Sequence, residues 1–126
     1  QGLIALEQTT RWTGGHDFLP QYYWALTDEQ LAKQLVKTSV LKHDDEKCFW
    51  TDTYYSSKEE MELIYQRYGL EIVDHFAQDG LAPLLSQKVD QWDENQFKIW
   101  CDYHYSVCRE QSVLGASNHV IIIGRK

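Results

Sequence analysis

The feature that most constrains the fold is an apolar run near the end of the chain, Val120–Ile121–Ile122–Ile123. Successive side chains of a β-strand point to opposite faces of the sheet, so a strand with one solvated face alternates apolar and polar residues. This run is apolar on both faces, which is typical of a strand covered by structure above and below it. The sequence therefore predicts a final strand in the middle of a sheet.

A helix followed by a strand is predicted upstream of this run. Ser57 and Glu60 form a capping box at the start of the helix, and Gly69 supplies the left-handed residue expected just past its end. Leu70 to Phe76 then has the composition of a strand, which the Asp79–Gly80 turn ends. Apolar residues recur at helical spacing between the two caps: Met61, Ile64, Tyr65 and Tyr68.

The first half of the chain contains a short strand and one clear helix. Leu3 to Leu6 is an apolar run that leads into polar residues, as a buried strand does at its end. Thr27 and Gln30 form a capping-box pattern, which predicts a helix to about Lys37. Its inner face is predicted to consist of Leu31, Leu35 and Val36.

Two more helices are predicted between the second strand and the last. A short one covers Leu84 to Val89, and a long one begins at Asp93, where Gln96 completes a capping box. The long helix has a broad apolar face at i, i+3, i+4 and i+7 spacing: Phe97, Trp100, Cys101, His104, Val107 and Cys108. Strands alternating with helical segments indicate an α/β protein.

Three stretches resemble the last helix and last two strands of bacterial class I S-adenosylmethionine-dependent methyltransferases. They are residues Tyr55 to Glu60, Tyr68 to Val73 and Ser117 to Lys126. Two further stretches, Asp79 to Leu85 and Tyr103 to Cys108, resemble a branch of that family that acts on small molecules. The resemblance covers the chain well from residue 54 onward.

The resemblance implies a fold and a division of the chain. The fold is the C-terminal portion of a Rossmann-like sheet, whose last strand runs antiparallel between two parallel strands, with two helical and aromatic insertions. One domain would span residues 1–126 as part of a larger methyltransferase. Its segments would be a strand at 1–10, an insertion at 11–56, a helix and strand at 57–76, a helical insertion at 77–117 and the last strand at 118–126.

The cofactor-binding part of that family has no counterpart in this sequence. The family holds S-adenosylmethionine on a glycine-rich loop after its first strand, and no GxGxG pattern occurs here. No cofactor-binding residue is therefore assigned, and this chain alone is expected to bind no S-adenosylmethionine and to be inactive. The single methionine is Met61, and Gln1–Gly2 looks like the remnant of a cleaved tag, so we expect the natural protein to extend upstream.

The candidate substrate-binding residues come from both insertions and from the start of the last strand. Aromatic residues in the first insertion suit a small-molecule pocket, although they would equally serve as a satellite core. His104 and His119 have two possible roles: each contacts substrate or acts as a general base, or each is a hydrogen-bonded structural residue. No carboxylate is evident beside either histidine in the sequence. The catalytic base stays unassigned. The candidates are Trp12, Tyr22, Tyr23, Trp24, Tyr103, His104, Asn118 and His119.

Composition limits the partners and the compartment. The formal net charge is −7 and the basic residues are scattered, which argues against nucleic acid. No apolar run reaches membrane-spanning length, and the histidines lack the spacing of a metal site. The three cysteines form no CxxC pair, which indicates reduced thiols in the cytoplasm. We expect all three side chains to lie in the core of the protein.

The sequence therefore predicts the substrate-recognition portion of a methyltransferase for a small molecule. The alternative is a non-catalytic module of α/β fold that binds a small ligand or dimerises. A homodimer through the unprotected edge of Leu3 to Leu6 is a further expectation, since this strand has neither Lys nor Pro.

Overall fold

A computed structural model describes residues 2–9, 28–42 and 51–126 of the chain. The strands are β1 (Leu3–Thr9), β2 (Val40–Leu41), β3 (Thr53–Tyr54), β4 (Glu71–Ala77) and β5 (His119–Arg125). The helices are α1 (Glu29–Thr38), α2 (Lys58–Arg67), α3 (Ser86–Val89), α4 (Glu94–Val107) and α5 (Gln111–Ala116), with a 3₁₀ turn at Ala82–Leu85 before α3.

The main sheet has the order β1-β5-β4, so the last strand lies in its middle. Both neighbours pair with β5 in antiparallel fashion, which makes β1 and β4 parallel to each other. The predicted interior position of Val120 to Ile123, antiparallel to the preceding strand, is confirmed. The described part of the chain thus mixes helices with antiparallel sheets, and its strands at the start, middle and end of the sequence agree with the predicted ones.

One face of this sheet carries the larger core. Gln8 and Ala77 both lie opposite Val120 in the register, so their side chains and that of Val120 share a face. Ala77 and Val120 pack there with Leu114 of α5 and with Cys108, which follows α4. The helical insertion at residues 77–117 therefore folds back over the end of β4, the strand that precedes it.

Helix α2 covers the other end of the same face. Its Ser57–Glu60 capping box is confirmed, and Gly69 has the expected positive φ of 68°. Tyr65, only 1% exposed, donates a hydrogen bond from its hydroxyl to the carbonyl oxygen of Ile122 at 3.2 Å. Its ring lies directly against Gly124, the one position in β5 where no Cβ intervenes. A glycine in the strand thus allows the helix to approach closely.

A buried polar contact also ties α2 to β4. Glu62 forms an ion pair with Lys58 at 2.7 Å and lies 3.1 Å from Nδ1 of the buried His75. Burial by itself would raise the pKa of Glu62, but the hydrogen bonds with Lys58 and His75 leave that pKa below its usual value. The carboxylate therefore stays ionised at the helix–sheet junction.

A second, smaller core surrounds α1. Leu31 and Leu35 are buried as predicted, against Leu41 and Tyr55. The prediction for Val36 is wrong, because its side chain is 67% exposed.

The cap of α1 also differs from the prediction. Asp28 caps the helix by accepting from the backbone N–H groups of Gln30 and Leu31, whereas Thr27 lies outside the described residues. An aspartate at the N-cap accepts from the backbone N–H groups two and three residues further along, which is the pattern seen at Asp28.

Helix α4 begins at the predicted Asp93–Gln96 capping box, but its apolar face is not packed as expected. No residue within the helix is buried; Phe97 is 50% exposed, and Cys101 is exposed although we expected a core position. Only Cys108, just after the helix, is in the core. Helical spacing decides which residues share a face, and it does not decide whether another element covers them.

Within the described ranges, no helix has the length and apolar character needed to cross a membrane.

Candidate functional site at the carboxyl ends of β1 and β4

The strand register brings three chain segments together at one edge of the sheet. Thr9, the last residue of β1, lies opposite His119, the first residue of β5, and Ala77 at the end of β4 lies opposite Val120. The carboxyl ends of the two parallel strands and the start of β5 therefore meet. In α/β sheets, this is the edge at which ligands commonly bind.

Asp79 is the centre of a polar cluster at this edge. Its Oδ2 atom lies 3.1 Å from Nδ1 of His119, and its Oδ1 atom accepts a hydrogen bond from the His119 backbone N–H at 3.2 Å. The Ser117 hydroxyl also hydrogen bonds to Oδ1. Both members of the pair are largely shielded from solvent, with side-chain exposures of 21% for Asp79 and 15% for His119.

This arrangement assigns the tautomer of His119. A carboxylate only accepts hydrogen bonds, so the proton of the neutral imidazole resides on Nδ1 and the lone pair on Nε2. A histidine oriented by a carboxylate in this way can accept a proton through Nε2, and the carboxylate stabilises the imidazolium that results.

The Asp79–Gly80 turn is held against the long helix. Gly80 has a positive φ of 53°, and its N–H donates to the Ser117 hydroxyl at 2.9 Å. The His104 ring packs so closely that a Cβ at Gly80 would lie 2.8 Å from its Cε1 and Nδ1 atoms. His104 also donates from Nε2 to the Ala77 carbonyl oxygen at 3.1 Å. A side chain at Gly80 would therefore be strained and would displace the His104 ring, so glycine at this position keeps both histidines against the turn.

Aromatic rings extend from this turn along α4. Trp100 stacks on His104 with ring centroids 6.5 Å apart, and it contacts Trp92 at 5.5 Å and Tyr103 at 5.8 Å. Tyr103 itself is 53% exposed. The rings form a continuous apolar strip that begins at the polar cluster.

Asn118, which directly precedes His119 in the chain, is a second buried polar residue. The residue is 2% exposed, and its amide nitrogen has no hydrogen-bond partner within the part of the chain that the structure describes. A buried amide without a partner costs free energy, and such groups concentrate where a ligand or water completes the hydrogen bonding.

The structure thus brings His104 and His119 onto the same turn, and Asn118 directly precedes His119 in the chain. The sequence interpretation missed Asp79 as a partner, because 40 residues separate it from His119. Its position in a turn directly after a strand was the available signal. The remaining candidates, Trp12, Tyr22, Tyr23 and Trp24, lie outside the described residues.

The described residues do not form a cradle for S-adenosylmethionine. Among the residues that the structure describes, Gly69 and Gly80 have positive φ, and they lie apart: Gly69 ends α2, and the space next to Gly80 is filled by the His104 ring. No group of three or more potential metal ligands occurs within residues 2–9, 28–42 and 51–126.

Comparison with known proteins gave no assignment: no family model matches the chain, and no curated protein is significantly similar to it in sequence.

Proposed function

We propose that this chain is the acceptor-binding, C-terminal portion of an S-adenosylmethionine-dependent methyltransferase that acts on a small molecule. The observation that carries the proposal is the strand order β1-β5-β4, with an antiparallel strand between two strands that are parallel to each other. This is the order that the resemblance to the class I family implies. In that family, this order occurs at the end of a Rossmann-like sheet.

The exposed surface of β1 also supports the proposal. Leu3, Ile4 and Leu6 are 65%, 41% and 44% exposed, and no other described strand pairs with the outer edge of β1. In a complete methyltransferase sheet, the preceding strands would lie along that edge. On this proposal, strands outside this chain hold the cofactor, since Gly69 and Gly80, the described glycines with positive φ, form no cradle for it.

In this proposal the polar cluster handles the acceptor. His119, oriented by Asp79 at 3.1 Å, takes up a proton from the acceptor. Trp100 and Tyr103 provide apolar surface beside it. The chain's share of the chemistry is to bind and orient the acceptor and to take up its proton.

The decisive experiment begins with the natural reading frame upstream of Leu3. A glycine-rich loop after a predicted strand there supports the proposal, whereas a start codon directly before Leu3 contradicts it. With the complete natural protein, transfer of labelled methyl groups from S-adenosylmethionine to a panel of small molecules identifies the acceptor class.

Variants of the complete protein then test the assigned pair. We expect Asp79→Asn to lower kcat by about 10²-fold or more, since general-base catalysis contributes about 10²–10⁴-fold. Asp90→Asn, at an exposed position in the same insertion, is the matched control and should retain full activity. Equal activity of the two variants would exclude a role for Asp79 in the reaction.

The isolated chain provides an independent check. Calorimetry with S-adenosylmethionine should show no saturable heat, because the glycine-rich loop is absent. Tight binding would contradict the proposal that this is the acceptor-binding portion alone.

A second candidate function is a non-catalytic small-ligand-binding module. One observation favours it, namely a pocket away from Asp79 whose wall contains a buried amide without a partner. A complete reading frame that starts at Leu3, together with ligand binding to that pocket, would support this function over the first.

A further inference from the structure

A pocket of about 160 Å³ lies on the core face of the sheet, between the first turn of α2 and helix α5. One water molecule needs only about 10–15 Å³ on the same measure, so the pocket has room for a small molecule. Gln8 and Val120 contribute from the sheet. The rest of the lining comes from Ser56, Ser57, Lys58, Glu59, Gln111, Leu114 and Gly115.

Gln8 is the unusual residue in this lining. It is only 6% exposed, yet neither its amide nitrogen nor its amide oxygen has a hydrogen-bond partner in the described part of the chain. A buried side chain of this kind is normally paired, since an unpaired polar group loses its hydration without compensation. A ligand in the pocket would supply both the acceptor and the donor that Gln8 lacks.

The first turn of α2 lines the same pocket and has backbone donors without partners inside the helix. The Ser57 hydroxyl accepts from the Glu60 N–H, whereas the N–H groups of Lys58 and Glu59 have no acceptor within the helix. These groups can donate to a carbonyl oxygen of a ligand. The pocket therefore combines several donors with one amide acceptor.

The charges around the pocket favour a neutral ligand. The Lys58 ammonium is already paired with Glu62 at 2.7 Å, and the exposed Glu59 carboxylate lies at the pocket. The chain as a whole has a net charge of −7. An anion would meet this negative charge and would leave the Gln8 amide oxygen without a donor.

We propose that this pocket binds the carboxamide or lactam edge of a small neutral molecule. The ligand's N–H donates to the Gln8 amide oxygen, and its carbonyl oxygen accepts from the Gln8 amide nitrogen and from the first turn of α2. The proposal does not depend on the methyltransferase proposal, because the pocket shares no lining residue with the Asp79–His119 pair.

Two-dimensional NMR of the full chain tests this site with acetamide as the probe. We expect saturable shifts of the Gln8 side-chain NH₂ signals and of the Lys58 and Glu59 backbone amides, with a dissociation constant in the millimolar range. Acetone lacks the donor and acetate carries a charge, so both should bind at least about tenfold more weakly.

Two variants show whether Gln8 is responsible. Gln8→Leu should abolish the acetamide shifts at Lys58 and Glu59, and Gln66→Leu, at an exposed position on α2, should leave them unchanged. Shifts that persist in Gln8→Leu, or that never saturate in the natural sequence, would overturn the proposal. Acetate binding as tightly as acetamide would overturn the assignment to a neutral amide.

Discussion

The contact between Tyr65 and Gly124 allows a sharp test of how α2 packs on the sheet. In Gly124→Ala, the new Cβ would lie 2.5 Å from both Cδ1 and Cε1 of Tyr65. Atoms at that separation must move, and neither partner moves easily. Tyr65 is 1% exposed, and its hydroxyl is held by the Ile122 carbonyl oxygen at 3.2 Å.

The magnitude follows from the cost of overpacking a core. Forcing an extra methyl group into a well-packed position costs about 1–3 kcal/mol in the free energy of unfolding. For a chain of this size, each kcal/mol lowers Tm by about 4 °C. We therefore expect Gly124→Ala to unfold at a lower urea concentration than the natural sequence, with an unchanged dependence of the free energy of unfolding on urea concentration. Tryptophan fluorescence and circular dichroism would monitor the unfolding.

The matched control is Gly115→Ala, at a helical glycine whose added Cβ would meet no atom within 4 Å. Alanine is the better helix former by about 1 kcal/mol, so this variant should be as stable as the natural sequence or more stable. On a Tyr65→Leu background, Gly124→Ala should cost less than about 0.5 kcal/mol, because the ring has gone. If Gly124→Ala matched Gly115→Ala in stability, the close approach of α2 to β5 would be wrong.

Three further predictions concern other parts of the sheet. Gln8→Leu should raise the free energy of unfolding by about 1–3 kcal/mol in urea denaturation, because it removes a buried amide without a partner; a loss of stability would show that the amide is satisfied. The hydrogen bonds from Arg109 lower the pKa of Asp74 below its usual 3.8, so the stability that this carboxylate contributes is fully present above pH 3.8 and is lost as pH falls through the lower folded value. Acid titration of unfolding should show this loss, and Asp74→Asn should remove it. Light scattering should detect a dimer at micromolar concentration that Ile4→Lys weakens, and a monomer throughout would show that the edge of β1 is protected.

Local signals in the sequence were sufficient for much of the fold. The capping boxes at Ser57 and Asp93 and the left-handed Gly69 were found from residue type and spacing, because each depends on hydrogen bonds within a single turn. The interior position of β5 was also predicted, since its apolar residues on both faces are incompatible with a solvated edge.

Contacts between residues that are far apart in the sequence could not be predicted from the sequence by itself. Residue types and periods determined where helices and strands begin and which residues share a face. Only the tertiary structure decided that Asp79 pairs with His119, that Gln8 is buried without a partner, and that the apolar face of α4 is left largely uncovered. The physical reason is that each of these depends on which segments meet in space, and a local pattern carries no information about a partner 40 residues away.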